Sequence, residues 1–225
     1  MNGELISLRL CTAETTELLL DASSRYNFDG TMSSPLSTAI AGLSASEPSA
    51  RKTAAEEVYR LGRAAAGIAV AAWWGDEELS SLLFAPNPEI TVGVAVPRET
   101  FNRIRIANGT PRLAEVPPDQ DAEEFEMQFP GGISLDLLTT REPGGEGAIS
   151  RYLSKFGEGV QQVEFRCTDV DRATEILKEK FKIAPVYPAT RPGADGTRVN
   201  FFLVASPDGG KVLIELYQPA SRAQS

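Results

Sequence analysis

The clearest pattern in the chain is a run of small and apolar positions between about Ser49 and Trp74. Ala54, Val58, Leu61, Ala65, Ile68 and Ala72 recur three or four residues apart, which places them on one helical face. Ser49 is the expected N-cap and Gly75 the expected stop. Asp76 then caps a shorter helix carrying Leu79, Leu82 and Leu83. So many small residues on one face suit an accessory layer packed on a core, or a contact between two copies. Upstream, "ELISLRLC" alternates as a strand and "TAETTELLLDASSRY" fits a helix. "DGTMSSPLSTAIAGLSASEPSA" has loop composition, with room for one helical turn inside.

Beyond residue 88 the period changes from helical to alternating. "EITVGVAVP" reads as a strand with Thr91, Gly93 and Ala95 on one face and Val92, Val94 and Val96 on the other. "RETFNRIRIANG" is a poorly patterned helix of one or two turns. "PRLAEV", "EEFEMQF" and "ISLDLLT" are three strands separated by turn residues. The plan then recurs. "VQQVEFRC" is a strand, "TDVDRATEILKEKF" an amphipathic helix with Thr168 and Asp171 resembling a capping box, and "IAPVYPA", "TRVNFFLVA" and "KVLIELYQ" are three strands. The order strand, helix, strand, strand, strand thus occurs twice, about 70 residues apart. The expected fold is α+β. Two βαβββ modules form a curved mixed sheet around a cavity, preceded by a mainly helical N-terminal region. The expected divisions are a helical region 1–88, a degenerate first module 89–140, a connection 141–159, a second module 160–219 and a tail 220–225.

Alternation also sorts the polar residues of the second module. Gln161, Val163, Phe165 and Cys167 share a face suited to packing on the helix, while Gln162, Glu164 and Arg166 share the other. In the last strand Val212, Ile214 and Leu216 pack, and Leu213, Glu215 and Tyr217 face away. A face mixing Gln, Glu, Arg, Leu and Tyr suits a cavity lining better than a solvated surface. A buried amide such as Gln162 costs free energy unless it is hydrogen-bonded.

Composition narrows the partners. The 225 residues carry a net charge of −9, which argues against a general binder of phosphate backbones. There is no histidine, and the two cysteines, Cys11 and Cys167, form no paired motif. A zinc site or disulfide framework is therefore not expected, and a reducing cytosol is the default. The apolar run from Ala64 to Trp74 is about half the length of a membrane span, and the N-terminus lacks the pattern of a secretory signal. The expectation is a soluble, cytoplasmic protein with a small-molecule partner and no nucleic-acid or membrane partner. A homodimer is left open.

The pieces "GEG" before the second module, "RPGADGTRV" and "GGKVLIELYQP" resemble the second half of methylmalonyl-CoA epimerases. These belong to the vicinal oxygen chelate (glyoxalase, bleomycin-resistance and dioxygenase) superfamily. The resemblance is good over residues 130–219, weak over 89–129 and absent over 1–88. In that family a divalent metal, held by two histidines and two Gln/Glu side chains, chelates the substrate oxygens and stabilises an enolate. The resemblance carries the four ligand positions onto Thr91, Asp136, Gln162 and Glu215, with Thr91 and Gln162 standing where histidines are expected. Such a degenerate site implies a hard ion (manganese, magnesium or cobalt) or no metal at all. The resemblance implies Glu215 and Asp119 as catalytic acids or bases, with Glu164 on the same face a further candidate, and the shared face offers Arg166 and Tyr217 as substrate-binding residues. Arg166 is expected to pair with Glu164 or Glu215 and to bind a substrate carboxylate; the alternative is a purely structural ion pair. The implied function is an epimerase, isomerase or lyase acting through an enolate on an acyl-CoA or another carbonyl acid. Two alternatives stay open: a metal-free module that sequesters a small molecule, and a non-catalytic interaction protein. Ring-cleaving dioxygenase and metal-dependent glyoxalase I chemistry are disfavoured for want of a histidine ligand.

Overall fold

One curled, mixed sheet organises the computed structural model, which describes residues 34–220. Its strands are β1 (Ile90–Ala95), β2 (Glu123–Phe129), β3 (Ile133–Thr139), β4 (Gly159–Arg166), β5 (Arg191–Pro192), β6 (Arg198–Ala205) and β7 (Lys211–Gln218), in the spatial order β2-β3-β1-β4-β7-β6-β5. β1 runs parallel to β3 and β4 parallel to β7. A parallel pair needs a long crossover, and each module supplies one containing a helix. The modules meet where β1 and β4 pair antiparallel. The architecture is α+β, a half-barrel with a helical region preceding it.

Helices cover the convex face: α1 (Pro35–Gly42), α2 (Pro48–Ala65), α3 (Gly67–Trp73), α4 (Glu77–Leu82), α5 (Arg98–Ala107) and, after α6 (Ala148–Phe156), α7 (Val170–Glu179). The alternation of β1 to β3 places Val92, Val94, Phe125, Met127, Leu135 and Leu137 in a core with Ile40, Leu43, Val58, Phe101 and Ile104. In the second module Val163, Phe165, Ile214 and Leu216 pack on Val170, Ala173, Ile176 and Leu177. Trp73, Leu79 and Leu83 are fully buried in that same core. The helical region is therefore part of both cores and not a detachable layer.

Several local expectations are corrected. The strand in "ELISLRLC" and the helix in "TAETTELLLDASSRY" lie outside the described residues. The loop-like "PLSTAIAG" is a helix, started by Ser34, whose hydroxyl accepts from the Ser37 N–H, and by Pro35 in its first turn. The long helix expected from Ser49 to Trp74 starts at Pro48, so Ser49 lies inside it. It divides into α2 and α3 at Ala66–Gly67, where a glycine weakens helical continuity. Asp76 does cap α4, accepting from the Leu79 N–H at 2.9 Å. α5 is a full helix because Phe101 and Ile104 bury its inner face. α7 is capped by Asp169, which accepts from the Arg172 N–H; the backbone of Thr168 is held by Leu82 O. The expected strand "IAPVYPA" makes one isolated bridge, Pro185 to Phe202, since prolines interrupt its donors.

The expected strand "PRLAEV" is irregular and does something else. The segment from Pro111 to Ala122 joins the two edges of the curled sheet, bonding β2 on one side and the β5 end on the other. Ala114 N donates to Glu124 O beside β2. At the far edge Arg112 forks onto Asp195 at 2.6 and 3.0 Å, Glu115 and Asp195 exchange a backbone and a side-chain bond, and Gln120 Nε2 donates to Pro192 O. Val116 of this strap joins Ile149 of α6 against Ala95 and Leu138. The cup thus has a spanning strap and is plugged at one end by α6.

No helix among the described residues is long and apolar enough to cross a membrane. α2 approaches the sheet closely at Gly62, where an added Cβ would lie 2.4 Å from Val92 Cγ1. Gly62→Ala is expected to destabilise the fold by about 1–3 kcal/mol through overpacking. Urea unfolding of the variant tests this; an unchanged midpoint would show that α2 is free to move off β1.

Candidate functional site

The register of the central strands determines which side chains meet on the concave face. Gly93 lies between Asp136 of β3 and Gln162 of β4. Thr91 lies between Ser134 and Glu164, and Glu164 lies beside Glu215 of β7. Glu126 of β2 faces Asp136, and Phe201 of β6 faces Glu215. Alternation leaves Glu124 and Glu126 on this face while Phe125 and Met127 are buried in the core. Five carboxylates, Glu124, Glu126, Asp136, Glu164 and Glu215, therefore share one wall of the cup.

Gln162 is the hub. Its Nε2 donates to Glu215 Oε2 at 2.7 Å and to Glu164 Oε1 at 3.2 Å. The orientation of the amide follows from these two acceptors. The hub needs Gly93, because a Cβ there would sit 2.6 Å from Gln162 Cγ and 3.1 Å from Glu164 Oε1. A bulge in the β1–β4 ladder next to Gly93 inserts Gln161, whose Oε1 is buried without a partner. Gln162 accordingly faces the concave side of the sheet, with both amide hydrogens used.

Burial and crowding raise the acids. Glu164 is pushed up to about 8, by desolvation first, against the lowering effect of its bond from Gln162, with Glu124 and Glu126 adding repulsion. Burial, then Glu164 and Glu124, hold Glu215 well above the carboxylate range. Asp136 is also held well above it, by burial and then by Glu124, Glu164, Glu215 and Glu126. Glu124 is raised to about 7 by burial and by Asp195. Tyr217 is raised by burial and by Glu164. These are the directions that desolvation and like charges impose on carboxyl and phenol groups.

The residues expected at the site divide into two groups. Glu164, Gln162 and Glu215 are brought together by direct bonds, and Thr91 and Asp136 lie on the same wall. Arg166 departs from expectation: it pairs with Glu89 at 2.6 and 2.9 Å, and not with Glu164 or Glu215, and it lies over the Phe84 ring at 5.2 Å. Its register partner is Tyr217. A cavity of about 470 Å³ at this end of the sheet is lined by Phe84, Arg166, Cys167, Thr168 and Gln218 to Ala220. Asp119 also departs from expectation. It sits exposed on the strap and bonds Arg191 at 2.8 Å, since "PPDQD" is part of the strap and not a turn between strands. Cys167 is buried and pushed up to about 11, so its thiol stays protonated. Sequence reasoning missed Glu124 and Glu126; the alternation in "EEFEMQF" was the available signal.

The four positions implied as metal ligands do not fit a divalent ion. The space between Glu164 and Glu215 is taken by an N–H donor, the Gln162 amide. Among the described residues no group of three or more His, Cys, Asp or Glu is arranged to hold a metal.

No protein-family model matches the chain, and no curated protein matches it. Among solved structures, methylmalonyl-CoA epimerase from Mycobacterium tuberculosis is 29% identical, with 59% of this chain and 87% of that one covered and a TM-score of 0.47. A variant of Streptomyces coelicolor methylmalonyl-CoA epimerase in complex with 2-nitronate-propionyl-CoA is 25% identical, covering 58% and 96% with a TM-score of 0.45. A hypothetical protein from Bacillus halodurans is 22% identical, covering 60% and 96% with a TM-score of 0.49.

The raised acids make stability depend on pH with a definite sign. Between the ordinary carboxylate value and about 8 the folded state keeps protons that the unfolded state has lost. Stability therefore falls as pH rises through that window. The carboxylates lowered by cationic partners, including Asp76, Asp171 and Asp195, lose their contribution only at more acid pH. Thermal unfolding is expected to show a declining midpoint from about pH 5 to about pH 8, with a shallower decline in Glu164→Gln. A midpoint rising over that interval would contradict the assignment.

Proposed function

We propose that this chain is a metal-independent proton-transfer enzyme of the vicinal oxygen chelate type. It would act as an isomerase or epimerase on a carbonyl compound through an enol. The observation that carries the reading is Gln162 Nε2 held between the carboxyl groups of Glu164 and Glu215. Two adjacent carboxyls in a desolvated cup do not both ionise. One ionised member of the pair removes the proton α to the substrate carbonyl, and the C–H electron pair moves into the new C=C bond. The neutral member donates its O–H to the carbonyl oxygen, where negative charge develops. Reversal returns a proton to the same carbon, which exchanges or inverts it, or to another carbon of the enol, which isomerises the substrate. Gln162 holds the two carboxyls in register and satisfies the one that is ionised.

The resemblance to methylmalonyl-CoA epimerases supports a carbonyl acid or acyl-CoA as substrate. An anionic group of such a substrate would sit at the Arg166 and Tyr217 end of the cup, two residues along β4 and β7 from the acids. Arg166 would then exchange its bond to Glu89 for a bidentate one to the ligand. Asp119 has no role in the transfer.

Incubation with methylmalonyl-CoA and with a neutral β-keto ester in deuterated buffer tests the reading, with exchange at the α-carbon followed by proton NMR. Exchange with at least one of them is expected, unchanged by EDTA and reduced about 100-fold or more in Glu164→Gln and Glu215→Gln. Absence of exchange with both, or exchange abolished by EDTA, would contradict it.

A further inference from the structure

The concave wall holds more acid than a proton shuttle uses. Glu164 and Glu215 have Gln162 between them, but Asp136 has nothing. Its side chain is only 8% exposed, and among the described residues it takes part in no hydrogen bond and no ion pair. It faces the cup beside Glu126 and Gly93. A buried carboxyl group without a partner is costly. The crowding at this wall is also uncompensated. The one cation on the same face of β4, Arg166, is engaged by Glu89 and Phe84 at the end of the sheet. Gly93 allows Glu164 to lie over β1 toward the Asp136 side, so Asp136 borders Glu126 and Glu164, each of which accepts one amide hydrogen bond, from Gln128 and Gln162. Beyond Gly93, Gln162 and Glu215, on the other side of the cup, the wall becomes aromatic. Phe201 stands beside Glu215, with the Tyr187 ring 5.9 Å from it edge-on, and Tyr217 follows on β7.

We infer that the Asp136 side of the cup is a binding site for the ammonium group of a small organic amine, whose apolar or aromatic stem lies toward Phe201. A primary ammonium offers three donors and no acceptors, and its positive charge would relieve the carboxyl crowding that otherwise holds protons on Asp136 and Glu164. The aromatic neighbours favour a cation carrying a hydrophobic body. An ammonium needs no fixed coordination geometry, so the lack of a metal-ligand arrangement among the described residues does not count against it. The site lies on the same concave face as the proposed proton transfer but does not depend on turnover.

The test compares 2-phenylethylamine with 2-phenylethanol, a neutral molecule of the same shape, by calorimetric titration and thermal shift on the full chain. The amine is expected to bind and stabilise, at least about tenfold more tightly than the alcohol. Asp136→Asn is expected to lose about tenfold in amine affinity without losing its cooperative unfolding. Glu126→Gln, at an exposed position, is expected to lose less. Equal responses to amine and alcohol, no response to either, or stabilisation by manganese in place of the amine would each overturn the inference. Amine binding without α-proton exchange would leave this site standing and remove the enzyme reading. Exchange without amine binding would do the reverse.

Discussion

The antiparallel pairing of β1 with β4 is the contact on which the rest of the structure depends. It fuses two modules into one sheet, and its register sets Gly93 against Gln162. A one-residue slip would turn each strand's cup-facing side chains to the helix side. Only in this register does the missing side chain at Gly93 let Gln162 and Glu164 lean across β1. The same pairing brings β3 and β7, one from each module, to either side of the central pair. Asp136 and Glu215 thereby meet on one wall although 79 positions separate Asp136 from Glu215 in the chain.

The electrostatics follow from that convergence. Carboxyl groups on adjacent strands, shielded by the strap and α6, repel one another and lack solvent to relieve the charge. Protonation is the default response, and Gln162 is the one hydrogen-bonded accommodation built into the wall. The strap matters here because the loop held by Arg112 and Asp195 closes the cup over Glu124. Elsewhere acids are paired with cations in the ordinary way, as at Arg172 with Glu78 and Lys180 with Asp76. The contrast sets the concave wall apart as the place where neighbouring carboxyls lack cationic partners.

Much of this was legible in the chain. Period-two alternation in "VQQVEFRC" and "KVLIELYQ" separates Gln162, Glu164 and Glu215 from the core side. The repeated order of elements implied the curled sheet. What could not be read depended on tertiary partners. The break between α2 and α3 and the depth of Trp73 follow from packing on the sheet, which local propensity does not report. "PRLAEV" has strand composition, yet its partner is a loop at the opposite edge. Arg166 shares a face with Glu164, but its long side chain reaches Glu89, a residue 77 positions earlier. Alternation gives a residue its face and not its partner. Asp119 follows the same rule: "PPDQD" has turn composition, yet it is part of the strap, where Asp119 bonds Arg191.

The central claim is that Glu164 and Glu215 keep their protons in the folded protein well above the range of ordinary carboxylates. Carbon-13 NMR of the carboxyl carbons of labelled glutamate, with Glu164 and Glu215 assigned through their Gln variants, measures this directly. The account predicts a titration midpoint of about 8 for Glu164 and a higher-than-ordinary one for Glu215. Midpoints for both in the ordinary carboxylate range would contradict it.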